Sequence, residues 1–182
     1  MADDIKTSAI WAVLIALLGI GLYILIRFRN VSFSIGAVIA LTHDALIIIG
    51  LYSLLYKIMP FSLEIDQSFI AAILTAIGYS INDKVVIFDR IREYVGLYPN
   101  RPMDKVMNDA ICSTMGRTFS TSFSTMLVLI AIFIFGGEVI RGFIFAMSVG
   151  VVVGTYSSVF MAAPVSYDLL ARMNKKKEKK AE

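Results

Sequence analysis

Five side chains stand inside long apolar runs where hydrocarbon penalises them: His43, Asp44, Asp83, Lys84 and Arg117. Insertion scales place an Asp, Lys or Arg at mid-bilayer at a cost of about 2.5–3.5 kcal/mol, so each must face protein or water and is a candidate functional residue. The chemistry open to such a set is proton movement. A carboxylate opposite an arginine lets the arginine go when it is protonated, which links one proton to a change in favoured helix packing. Around Arg117 the hydroxyls are dense: Ser113, Thr114, Thr118, Ser120, Thr121, Ser122, Ser124 and Thr125. They can hydrogen-bond their own backbone or a neighbouring helix, and they can also hold water between two titratable groups. The chain has no Gly-rich phosphate loop, no paired cysteine ligands and no helix with His at i and i+4, so neither a metal nor an organic cofactor is expected. Cys112 is alone and has no intrachain disulfide partner.

The elements that position these residues follow from composition. The 182 residues are 58% hydrophobic and 17% charged, with a mean hydropathy of +0.77, against roughly 45–50% and 25% for a soluble domain. A globule of this size cannot hide that much apolar surface, so the chain is read as a membrane protein. Uncharged or nearly uncharged runs cover about 8–27, 33–56, 67–88, 113–136 and 140–166. Each approaches or exceeds the roughly 20 residues needed to cross about 30 Å of hydrocarbon, which predicts an all-α, polytopic bundle of five transmembrane helices. Continuous apolar runs exclude outer-membrane strands, which alternate over about 10 residues. The first run is too long for a signal peptide and follows Asp3 and Asp4 rather than a basic stretch.

Topology follows from the basic residues. Arg27, Arg29, Arg90, Arg92, Arg101, Lys105, Arg172, Lys175, Lys176, Lys177, Lys179 and Lys180 fall on one side, and Lys6, Lys57 and Arg141 on the other. Twelve against three predicts an outer N-terminal segment over 1–7, a cytoplasmic loop over 89–112 and a basic cytoplasmic tail over 171–182. The net charge of +3 is then a matter of topology, and nucleic acid is not an expected partner. The lysine-rich tail reads as a topological anchor and solvated end. Val106, Met107, Ala110 and Ile111 at helical spacing predict a short amphipathic helix along the interface, leading into span four.

If span three leaves the membrane at Asp89, Asp83 lies six residues inside, about 9 Å deep. Arg117 lies six residues inside the next span, counted from Ile111, so the two opposite charges sit at matching depth on consecutive antiparallel helices and can pair. Asp44 is about 16 Å deep, near the bilayer centre. Lys84 points about 100° around the helix from Asp83 and is expected to snorkel to the headgroups. In span five, Ala146, Gly150, Gly154 and Ser158 form a small-xxx-small face for close helix approach. Pro164 should kink or end that helix.

The segment from Ala72 to Asp83, ending Gly78-Tyr79-Ser80-Ile81-Asn82-Asp83, with Val85 to Glu93 after it, closely resembles the signature stretch of the SecF family of bacterial protein-export membrane proteins. Leu41-Thr42-His43-Asp44 and the stretch from Asn108 to Thr118 are similar to the family's flanking motifs, and the resemblance runs from about Ala9 to Leu170. With SecD, the family belongs to the resistance-nodulation-division superfamily of proton-driven machines. The resemblance implies five helices of a six-helix half in the bacterial plasma (inner) membrane, with the N-terminus periplasmic. It implies a non-enzymatic accessory subunit of the Sec translocase, coupling proton-motive force to protein export, with SecD, SecYEG and the preprotein as partners. In that family the motif Asp and the Arg of the following helix are taken as proton-pathway residues, which map onto Asp83 and Arg117. Asp44, His43, Asn82, Thr118 and Thr121 are secondary candidates. Family members have a further helix and a periplasmic domain before this part, so the chain is expected to be a fragment, a split-gene product or a truncation. Lys84 stands where the family commonly has Thr.

Two other functions fit the sequence less well. A proton-driven small-molecule exporter of the same superfamily is the alternative, disfavoured by the missing large loops and by the span-three motif. An intramembrane protease is disfavoured because the adjacent His43 and Asp44 point to different sides of a helix, and no nucleophile or metal set completes a site.

Overall fold

The computed structural model describes the backbone of residues 2–178 and the side chains of 7–173. The ordered elements are α1 (Ala2–Phe28), α2 (Val31–Leu55), α3 (Gln67–Leu97), α4 (Met103–Phe135), α5 (Glu138–Ser157) and α6 (Ala163–Glu178). A single π turn, Ser158–Ala162, joins the last two, and no strand occurs among the described residues. Five helices, with α5 and α6 counted as one, are long and apolar enough to cross a membrane. The lysines of the basic tail lie outside the residues whose side chains are described.

The connections are short and locally encoded. Between α1 and α2, Arg29 adopts φ 50°, and the Asn30 side chain accepts from the Ser32 N–H at 2.9 Å to cap α2. At the start of α3, Asp66 Oδ1 accepts from the Phe69 N–H at 2.8 Å and from Ser68 Oγ at 2.7 Å. Partial burial alone would raise this carboxyl, but those hydrogen bonds outweigh it and hold Asp66 below the usual carboxylate range.

Helix α5 sits at the centre, packed chiefly against α3 and also against α4 and α2. Its small face allows this, as the sequence predicts. A Cβ added at Gly154 would lie 2.6 Å from Ser80 Oγ, and one at Gly150 would collide with Ala76. At the end away from the basic residues, the buried Tyr52 hydroxyl on α2 donates to the Gly142 carbonyl on α5, and its ring lies 4.4 Å from that of Phe69. Two apolar clusters result. One holds Leu41, Ile48, Tyr52, Ile73, Ile77 and Val151, and the other holds Ile24, Phe28, Phe33, Phe88, Ile91 and Met107. Along α3 and α5 the buried polar residues Ser80, Asp83, Lys84 and Ser157 fall between these two clusters.

Three expectations change here. Within the stretch expected as a cytoplasmic loop over 89–112, the first part is helix too, because α3 runs on to Leu97, and the helix expected from Met103 is the start of α4 itself. Helix α4 is continuous, so the amphipathic stretch does not lie along an interface: Val106, Met107 and Ala110 are buried in the bundle. Pro164 neither ends the helix nor stands alone as a kink. Proline removes an N–H and crowds the carbonyl one turn back, and the wider π turn just before it absorbs both effects.

Candidate functional site

The polar layer is built from α3 outward. Asp83 and Lys84 are consecutive, so their side chains diverge by about 100°. Both are nonetheless buried, at 3% and 0% exposure, because α3 is enclosed by α2, α4 and α5.

On one side, Asp83 Oδ2 accepts from Thr155 Oγ1 of α5 at 3.4 Å. Thr155 in turn lies 2.6 Å from Ser122 Oγ of α4, so two hydroxyls lead from the carboxylate to the α4 face. Nearby, Tyr79 and Asn82 of α3 and Ser120, Thr121, Ser124 and Thr125 of α4 line an open groove, with the Tyr79 hydroxyl 3.1 Å from Thr125 Oγ1. A route of this kind can hold water and pass a proton to a buried carboxylate.

Arg117 is not in direct contact with Asp83. It makes no ion pair with Asp83 among the described residues, although its charge reaches that carboxylate. The reason is azimuth: Thr114 and Thr118 are the residues that α4 buries against the bundle, and Arg117, about 100° from Thr118, points to the exposed side. Thr118 Oγ1 is buried and has no hydrogen-bond partner among the described residues. Thr121 is exposed and donates back to the Thr118 carbonyl at 2.9 Å.

On the other side of α3, the expected snorkelling of Lys84 does not occur. Its Nζ lies 2.6 Å from Ser80 Oγ, 2.9 Å from Ser157 Oγ, 3.0 Å from Asp44 Oδ2 and 3.3 Å from Ser158 Oγ. The headgroups are out of reach because the stem enters the α2–α3–α5 junction, where Asp44 supplies an opposite charge and the serines supply acceptors. Ser80 also donates to Asp44 Oδ2 at 2.7 Å, and His43 Nδ1 lies 3.4 Å from Asp44 Oδ1. The Ser80–Lys84 spacing of i, i+4 was visible in the sequence, as was the Ser157-Ser158 pair. Neither pattern says which helices meet, so Thr155 and Ser157 do not stand out in the sequence, and Ser158 does so only as part of the small face of span five.

The chain matches the family model described as protein export membrane protein SecD/SecF, C-terminal, over residues 1–172. It is 57% identical over 171 residues to a protein named protein translocase subunit SecF from Rhodothermus marinus, covering 94% of this chain and 55% of that one. A SecF subunit from Cereibacter sphaeroides is 44% identical over 182 residues, covering 100% of this chain and 54% of the relative. A protein translocase subunit SecDF from Brucella abortus is 39% identical over 165 residues, covering 91% of this chain and 21% of that protein. The chain therefore spans about half the length of the SecF relatives it matches. A crystal structure of SecDF in its super-membrane-facing form superposes with a TM-score of 0.79 at 38% identity, over 90% of this chain and 21% of that one. With the signature stretch from Gly78 to Asp83 on α3 and a match over nearly its whole length, the chain belongs to the SecD/SecF family of protein-export membrane proteins.

Proposed function

We propose that this chain acts as the membrane part of a SecF-type accessory subunit of the preprotein translocase, in which Asp83 takes up and releases the proton that couples proton-motive force to export. The observation that carries the reading is Asp83 itself. It is buried at 3% exposure, its one described hydrogen bond is long, and Thr155 and Ser122 connect it to the helix that bears Arg117. Protonation removes its attraction for Arg117 and frees α4, the least embedded of the later spans: 11% of its apolar window is buried, against 44% for α3. A membrane potential contributes about 2.3 kcal/mol per charge per 100 mV, enough to bias such a movement.

The exposed polar side of α4, with Arg117, Ser120 and Ser124, suits a second membrane half, and SecD is the partner proposed for it. SecYEG and the preprotein complete the assembly, in the bacterial inner membrane with the basic end cytoplasmic. No covalent chemistry is assigned to the chain. The relatives named above are translocase subunits, and no observation favours a small-molecule exporter.

The test is Asp83→Asn in the full-length protein. Proton-motive-force-dependent export should be lost while membrane level and co-purification with SecD are retained. Unchanged export would sink the reading.

A further inference from the structure

Lys84 is completely buried, as are Ser80, Ser157 and Ser158, and Asp44 is 1% exposed. An ammonium has three protons and no lone pair, so every neighbour must accept from it. The serines are arranged to do so, because each sends its own proton elsewhere. Ser80 donates to Asp44 Oδ2 at 2.7 Å, and Ser157 and Ser158 donate to the Gly154 carbonyl at 3.2 and 2.6 Å. Asp44 Oδ2 receives both Lys84 and Ser80, which leaves that oxygen no place for a proton. Asp83 differs, with its single described hydrogen bond at 3.4 Å.

We infer that Lys84 is a built-in counter-cation: its ammonium fills a four-oxygen site at the α2–α3–α5 junction and holds Asp44 ionised through the working cycle, so that Asp44 does not exchange protons. The site also ties three helices into one unit and leaves Asp83 as the intramembrane carboxylate that exchanges protons. That last consequence rests on the reading of Asp83 as the proton carrier, whereas the ionised state of Asp44 does not. Among the described residues, few other charges face the pair. Helix α2 brings His43 against the second Asp44 oxygen, and α3 brings Asp83. Helix α4 brings Arg117, which acts through Asp83. At this level α5 and the π turn present hydroxyls and no charge. Arg27 of α1 is engaged with Asp89 at 3.0 Å, and α6 carries Asp168 about three turns and Arg172 about four turns beyond Ser158.

The test is infrared difference spectroscopy of the full-length protein with its SecD partner in lipid vesicles. The carbonyl stretch of protonated carboxyls is followed above about pH 5.5, where ordinary exposed carboxylates stay ionised. The inference expects no protonated-carboxyl band in Asp83→Asn, and a new band in Lys84→Met that disappears in Lys84→Met/Asp44→Asn. A band in Asp83→Asn that a further Asp44→Asn removes overturns the inference. So does an inserted Lys84→Met protein with no new band. If Lys84→Met does not insert, the Asp83→Asn spectrum decides alone, since that variant leaves the four-oxygen site intact. If the parent too shows no band, Asp44 is ionised as inferred and the proton-carrier reading of Asp83 falls instead.

Discussion

The Asp44–Lys84 pair should reveal itself in a thermodynamic cycle built from Lys84→Met, Asp44→Asn and the double variant. In the parent the two charges are 3.0 Å apart, with side chains 0% and 2% exposed. Water compensates neither when its partner is removed. Breaking a buried pair from one side costs about 3–5 kcal/mol, a large share of a typical folding free energy of about 5–15 kcal/mol. Replacing both charges with neutral groups is often close to neutral. The double variant should therefore be more stable than either single variant, with a coupling energy of about 3 kcal/mol or more, well outside the roughly 0.5 kcal/mol scatter of independent sites. Reversible unfolding in mixed micelles, read by tryptophan fluorescence from Trp11, gives the four values. Two additive single variants, each costing under about 1 kcal/mol, would refute the reasoning.

Two further outcomes test the packing and the orientation. Gly154→Ala places a Cβ 2.7 Å from Ser80 Cβ, which forces α5 and α3 apart and should cost about 1–3 kcal/mol; Gly78→Ala on the same α3, with nothing within 4 Å of the added atom, should instead stabilise by up to about 1 kcal/mol. Equal effects in unfolding measurements would contradict the close α3–α5 approach. Cys112 is a free, exposed thiol near the basic end of α4, and an impermeant maleimide should label it in inverted membrane vesicles and not in intact cells, with the reverse pattern overturning the proposed orientation.

Much of the architecture was legible because membrane helices are written in continuous apolar length. The five spans, their order and the small face of α5 all follow from residue type and spacing, since only an uninterrupted helix satisfies its backbone in hydrocarbon. Asp83 was legible as well: a carboxylate in an apolar run with a long signature around it has few readings. The ends of α3 and α4 were less so. Charges near 89–112 read as loop, yet Ile91, Met107 and Ala110 are buried in a common cluster that extends the helices past the apolar runs.

What the sequence determined alone, then, was which runs form apolar helices and where along its helix each charge stands, because position along a helix is a simple multiple of its rise. It could not determine azimuth, the direction in which each charge points once neighbours are in place. Matching depth suggested an Asp83–Arg117 pair, but α4 is rotated so that Thr118 faces inward and Arg117 outward. Lys84 looked free to reach the headgroups, but α2 and the junction of α5 with the π turn bring Asp44, Ser157 and Ser158 around its ammonium from positions 40 and more than 70 residues away. Those meetings depend on how three helices pack against one another, and only the tertiary structure decides that.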